Sequence, residues 1–157
     1  MKSRTCCFSG HRHLPENQKK EIAERLEKAV VSLIHSGYLY FGAGGALGFD
    51  TLCAKTILRL RQSYPGIKLI LVLPCVSQAD RWRPEDRAVY REIMGQADKV
   101  VYTSQEYTRD CMFKRNRHLV DNSSVCICYQ TKATGGTAYT VEYARKHGLR
   151  IINLAEE

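Results

Sequence analysis

The chain has 157 residues, of which 44% are hydrophobic, and it carries a formal net charge of +8. That length and composition fit one domain, residues 1–157, that buries about two-thirds of its unfolded surface, and they argue against disorder. No run approaches the roughly 18 apolar residues of a membrane span, and Met1 to Cys7 is too short and polar for a signal peptide, so the expectation is a soluble, cytoplasmic protein without membrane association.

Thr5 to Ser9 reads as a short buried strand and Gly10 to Pro15 as a loop. From Glu16 to His35, Ile22, Leu26, Ala29, Val30, Leu33 and Ile34 recur at helical spacing, and Gly37 stops that helix. Tyr38 to Phe41 is a second strand, running into the glycine-rich turn Gly42 to Asp50 and a helix from Thr51 to Gln62. Ile67 to Leu73 is a strongly apolar strand. A loop with Gln78 and Trp82 leads to Pro84, which suits the first position of a helix reaching Met94. Lys99 to Thr103 is a strand, Cys111 to Asn122 a helix and Val125 to Tyr129 a strand. The turn TKATGGT then precedes a helix from Tyr139 to His147, and Arg150 to Leu154 closes the chain as a strand.

Strands alternating with helices predict an α/β fold: a Rossmann-like, doubly wound, mostly parallel sheet flanked by helices, in a single domain. In such sheets ligands lie outside the carboxyl ends of the strands, where the strand order reverses. The loops after the strands are therefore the candidate site. The +8 charge favours anionic partners, nucleic acid or phosphorylated ligands, although the basic residues are scattered. The seven cysteines are an odd number. Cys126 and Cys128 share a strand face, but no second pair or nearby His completes a zinc pattern, so reduced, buried thiols are expected and no metal site is assigned.

Two glycine turns precede helices. In GAGGALGFD, Gly44, Gly45 and Gly48 permit positive φ and close approach of a ligand, and the following helix start favours an anion. The dinucleotide fingerprint is imperfect and there is no Walker lysine. Asp50 is read either as a helix cap or as a ribose-hydroxyl partner. In TGGT, Gly135, Gly136 and Thr137 repeat the same physics at a second strand end, which predicts phosphate or ribose-phosphate contact. Directly after the first strand stand Gly10, His11 and Arg12. Arg12 suits bidentate phosphate contact, and His11 is either a donor, an acid–base group or structural. Arg115, Asn116 and Arg117 place one arginine toward the site and the other toward solvent. Asp121 is read as a base partner, a cap or an ion-pair member. Gln78 and Trp82 offer a polar contact and a base-stacking ring, or ordinary packing. Glu142, two turns into its helix, faces either solvent or the pocket.

The segments FSGHR (Phe8 to Arg12), GGALGFD (Gly44 to Asp50), LPC followed by Gln78 and Trp82, RNRHLVDNSS (Arg115 to Ser124), GGTAYTVEYA (Gly135 to Ala144) and IINL (Ile151 to Leu154) together resemble the SLOG superfamily. That superfamily includes the LOG phosphoribohydrolases and the DprA-type domain, and the nearest resemblance is to its YpsA-like branch. It covers essentially the whole chain. The resemblance implies a Rossmann-like fold that binds nucleotides or their derivatives.

LOG enzymes carry PGGxGTxxE and a preceding arginine. Over Thr134 to Glu142 this chain keeps Gly135, Gly136 and Glu142 but has Thr134, Ala138 and Tyr139 in place of the proline, the third glycine and the threonine. The first expectation is therefore a module that binds or senses a nucleotide-derived ligand, of ADP-ribose/NAD or nucleoside-monophosphate type, with no certain cofactor and a phosphate-bound Mg²⁺ compatible with the sequence. The alternative is a LOG-like N-glycosidase, with Glu142 stabilising the oxocarbenium ion or activating water and Arg115 holding the phosphate. A third is single-stranded nucleic-acid binding of the DprA kind, which the dispersed aromatics do not favour. A homodimer is expected by resemblance to LOG proteins.

Overall fold

The computed structural model describes residues 1–156. Six strands, β1 (Thr5–Gly10), β2 (Tyr40–Ala43), β3 (Lys68–Leu73), β4 (Lys99–Tyr102), β5 (Val125–Tyr129) and β6 (Arg150–Asn153), form one sheet in the order β4-β3-β2-β1-β5-β6. Every neighbouring pair is parallel. Five α-helices connect them: α1 (Lys19–His35), α2 (Phe49–Leu60), α3 (Pro84–Gln96), α4 (Cys111–Asp121) and α5 (Gly136–Lys146). The expected doubly wound α/β domain is thus present, and its sheet is wholly parallel.

The alternation of side chains along each strand divides the apolar residues between two layers. Cys6, Phe8, Leu69, Leu71, Leu73, Val125 and Ile127 meet α1, α2 and α3 through Leu26, Ile57 and Ile93. Cys7, Val72, Cys126 and Cys128 point the other way, onto Leu119 and Val120 of α4 and Val141 and Ala144 of α5. All seven cysteines are free and buried, and Cys6, Cys7, Cys53, Cys126 and Cys128 act as small apolar side chains in these layers. Among the described residues no helix is long and apolar enough to cross a membrane.

Element ends differ from the sequence reading where glycine reshapes the backbone. The first helix begins as a 3-10 turn at Glu16–Gln18 before α1 proper. At its other end Gly37 takes φ +100°, Tyr38 N–H bonds to the Leu33 carbonyl and Gly37 N–H to that of Ile34. This paired closure consumes Tyr38 and delays β2 to Tyr40. The last helix starts at Gly136, three residues before the predicted Tyr139, because Gly135 at φ +104° turns the chain into it. Buried Thr137 and Thr140 continue the inward stripe of Val141 and Ala144, a stripe that polar threonines conceal in sequence.

The strand order reverses between β1 and β5, so these two neighbours send their chains in opposite directions and leave a crevice at their carboxyl ends. One wall of the crevice is fixed by α2. Phe49 N–H, at the first turn of α2, donates to the His11 carbonyl at 3.1 Å. Gly48, at φ +74°, lies so near that a Cβ there would be 2.2 Å from the Arg12 carbonyl oxygen. Gly10 presses on the Phe49 ring in the same way, at 2.4 Å from an added Cβ. Gly48→Ala combines left-handed strain with a backbone collision, and is expected to cost about 3 kcal/mol. Thermal unfolding should show a fall in Tm of about 6–12 °C, at roughly 2–4 °C per kcal/mol for a chain of this size.

Candidate functional site

The crevice holds a cavity of about 640 Å³, walled by the loop after β1, the amino-terminal turns of α4 and the β5–α5 loop. Its basic side chains are Arg12, His13, Arg115 and Lys132, with His11 among them, and among the described residues the single carboxylate in the wall is Asp50. The predicted Gly10, His11, Arg12, Asp50, Arg115, Asn116, Gly135, Gly136 and Thr137 all line it.

His11 ties two walls together. Its Nε2 accepts the backbone N–H of Thr131 at 3.0 Å and lies 3.1 Å from the Thr131 hydroxyl, while Nδ1 lies 3.4 Å from the Thr137 hydroxyl. A backbone N–H can only donate, so Nε2 must offer a lone pair and the proton resides on Nδ1. The ring meets Tyr129 edge-on, with centroids 5.8 Å apart. Partial burial, then the nearby Lys132 charge, hold its pKa below the ordinary histidine value. Of the alternatives left by the sequence, this geometry makes His11 a neutral strut between the β1 and β5 loops.

Arg115 forms the floor. It is 4% exposed; its Nη1 donates to the Gly44 carbonyl and its Nε to Asn116 Oδ1 at 2.7 Å. The oxygen-free side of the guanidinium, at Nη2, meets only the Met112 sulfur at 3.7 Å. Asp50, 7% exposed, accepts the Ala46 N–H at 3.2 Å and supplies the nearby counter-charge. Burial raises the Asp50 pKa, and Arg115, the Ala46 N–H and Arg12 oppose that rise. Burial also lowers that of Arg115, which Asp50 opposes, so each charge offsets part of the other's burial cost. Of the two neighbouring arginines, Arg115 enters the cavity, whereas Arg117 donates to the Tyr139 hydroxyl at 3.2 Å. Asp121 accepts from the Tyr143 hydroxyl at 2.7 Å and does not line the cavity.

The two glycine turns have separate destinies. Gly44, Gly45 and Gly48 are absent from the cavity wall because protein fills the space beyond them: an added Cβ would meet Arg115 at 2.6 Å, Leu73 at 2.6 Å and the Arg12 backbone at 2.2 Å. The α2 start is likewise occupied by the His11 carbonyl. Beyond Gly135 and Gly136 nothing lies within 4 Å, and no side chain caps α5. The open helix start, with its dipole, is therefore the one that faces the cavity.

Three further predicted residues lie elsewhere. Trp82 packs edge-on against Tyr90 with centroids 5.2 Å apart. Gln78 donates to the Tyr90 hydroxyl at 3.3 Å, and its Oε1 is buried without a partner. Glu142 is on the outer side of α5, exposed and paired with Arg145 at 3.1 Å. Residues that the sequence reading passed over are Lys132 and Thr131, inside the TKATGGT turn, together with Phe113 and Tyr129. Among the described residues no group of three or more His, Cys, Asp or Glu is placed to hold a metal.

Because the folded His11 binds its proton more weakly than the unfolded chain, its contribution to stability is complete above about pH 6.5 and is lost as pH falls from there toward the lower folded value. An NMR titration of the His11 ring is expected to give a pKa below 6.5, and Tm should drop less between pH 7.5 and 5.5 in His11→Asn than in the wild type. A His11 pKa at or above 6.5 would contradict the neutral strut.

Comparison with known proteins agrees with this architecture. A family model described as the YspA SLOG family, YpsA, matches residues 10–152. The chain is 27% identical over 130 residues to a UPF0398 protein of Bacillus cereus, covering 81% of this chain and 71% of the relative. It is 28% identical over 128 residues to one of Halalkalibacterium halodurans, covering 80% and 68%. Its fold is similar to DNA processing protein A of Streptococcus pneumoniae, with a TM-score of 0.69 and 19% identity, over 96% of this chain and 50% of that one. The Helicobacter pylori protein of the same name, whose structure concerns single-stranded DNA binding, gives a TM-score of 0.67 and 18% identity, over 94% and 63%. This chain thus spans half to just under two-thirds of those two, and at such identities the likeness is one of fold. With its own family model matched from the first strand end to the last strand, the chain belongs to the YpsA family of the SLOG superfamily.

Proposed function

We propose that the crevice between β1 and β5 binds a nucleotide-derived ligand, with its phosphate at the amino end of α5. The observation that carries this reading is the cavity itself: a cation-rich pocket at the strand-order reversal, opening onto a helix start whose Gly135 and Gly136 have only empty space beyond them. Helix-start amides and the dipole favour an anion, and Arg12 and Lys132 add charge at the rim. A cavity of about 640 Å³ falls within the usual range for small-molecule and cofactor sites. Family membership supports the same ligand class.

The binding reading is preferred to N-glycosidic hydrolysis by Glu142. A carboxylate that stabilises an oxocarbenium ion has to approach the anomeric carbon, whereas Glu142 projects from the outer face of α5 toward Arg145.

The test is thermal shift with AMP, ADP-ribose, NAD and inorganic phosphate, with product analysis of each mixture. At a ligand concentration 100-fold above Kd, stabilisation is about 2.7 kcal/mol, a rise in Tm of roughly 5–11 °C. A double substitution Arg12→Ala with Lys132→Ala should remove most of the shift without unfolding the protein, since both side chains are exposed. No shift with any nucleotide would overturn the proposal. Release of free base, abolished by Glu142→Gln, would restore the hydrolase reading. Oligonucleotide binding stronger than that of every mononucleotide, with a steep salt dependence, would replace it by strand binding.

A further inference from the structure

The chain has four phenylalanines. Phe8, Phe41 and Phe49 are buried in the core, as the cost of hydrating an aromatic ring dictates. Phe113 is the exception: 38% of it is exposed, in the first turn of α4, and it forms part of the cavity wall two residues before Arg115. Its ring is braced. Tyr139, 42% exposed on α5, meets it at a centroid separation of 4.7 Å and an interplanar angle of 67°, and Arg117 holds the Tyr139 hydroxyl at 3.2 Å. The other exposed aromatics, Tyr102 and Tyr107, do not line the cavity, and Trp82, the ring the sequence singled out for stacking, is turned into Tyr90.

We propose that Phe113 is the platform on which the aromatic base of the ligand stacks, with Tyr139 as the residue that positions it. The proposal rests on the nucleotide reading of the cavity and deepens it, by adding an aromatic contact at Phe113 to the polar one at Gly135, Gly136 and Lys132. A ring on a helix, fixed edge-to-face by a second ring, presents its apolar surface at little loss of side-chain freedom. Stacking accepts any base, because every base offers a π-face. The ligand class that follows is an aromatic heterocycle joined to an anionic group, which a sugar phosphate alone does not satisfy.

Isothermal calorimetry with AMP, ADP-ribose and NAD, and with ribose 5-phosphate as the probe that lacks a base, tests this on the wild type, Phe113→Ala, Phe113→Leu and Phe113→Tyr. Phe113→Ala and Phe113→Leu are expected to weaken the best-binding nucleotide about tenfold, Phe113→Tyr to retain it, and ribose 5-phosphate to bind the wild type and Phe113→Ala alike. Unchanged nucleotide affinity in Phe113→Ala overturns the platform and leaves the cavity reading standing. Equal losses for nucleotide and ribose 5-phosphate overturn it as well, since the effect would then not concern the base. If the wild type binds no nucleotide, the cavity reading falls and the platform with it. Sedimentation closes the remaining route: a wild-type dimer that Phe113→Ala dissociates would assign the ring pair to a second copy of the chain and overturn the platform.

Discussion

The close approach of the Gly48 backbone to the carbonyls of His11 and Arg12 governs how the crevice is built. Glycine at φ +74° lets α2 begin directly beneath the loop that leaves β1, and the Phe49 N–H then takes the His11 carbonyl as its acceptor. With that carbonyl engaged, the His11 ring projects across the crevice to Thr131 and Thr137. Thus β1, α2, β5 and the start of α5 are joined through one residue. The chain connectivity alone would only bring β1 and β5 side by side; this contact sets the distance between their loops.

Two glycine turns that look equivalent in sequence serve different ends, and the distinction is physical. A glycine is required wherever something comes too near for a Cβ, and the sequence does not say whether that something is protein or ligand. At Gly44 it is the Arg115 guanidinium, at Gly45 Leu73 and at Gly48 the Arg12 backbone. At Gly136 the backbone φ is ordinary and the space is empty. Glycine there is not demanded by the protein's own packing, and the amino end of α5 is left open.

The layered fold and nine of the residues lining the cavity were legible from periodicity and from the position of loops after strands. His11, Arg12, Arg115, Asn116 and the TGGT turn all follow strands or face them, and the strand-order rule collects such residues at one edge. What failed was helical phase and tertiary partnership. With α5 starting at Gly136, Thr137, Thr140, Val141 and Ala144 turn inward and Glu142 falls on the opposite side, but the sequence shows no cap that would reveal this start. Trp82 could be placed only by its partner Tyr90, eight residues away on another element. Phe113 and Lys132 were overlooked for the converse reason: an isolated ring and an isolated lysine have no pattern until α4 and the β5–α5 loop converge.

Charge balance explains why the strut across this crevice is a neutral histidine. A protonated His11 would set a third like charge beside Lys132 and Arg12, and it would lose the lone pair that receives the Thr131 N–H. A carboxylate in the same place would accept that N–H well, but it would also neutralise the rim and repel an anion. The imidazole accepts on one nitrogen and donates on the other while adding no charge. Below it, Asp50 is buried beside Arg115, and each opposes the shift that burial imposes on the other. An anion arriving at the α5 start would therefore meet the Lys132 charge and the helix dipole without displacing a carboxylate paired to that lysine.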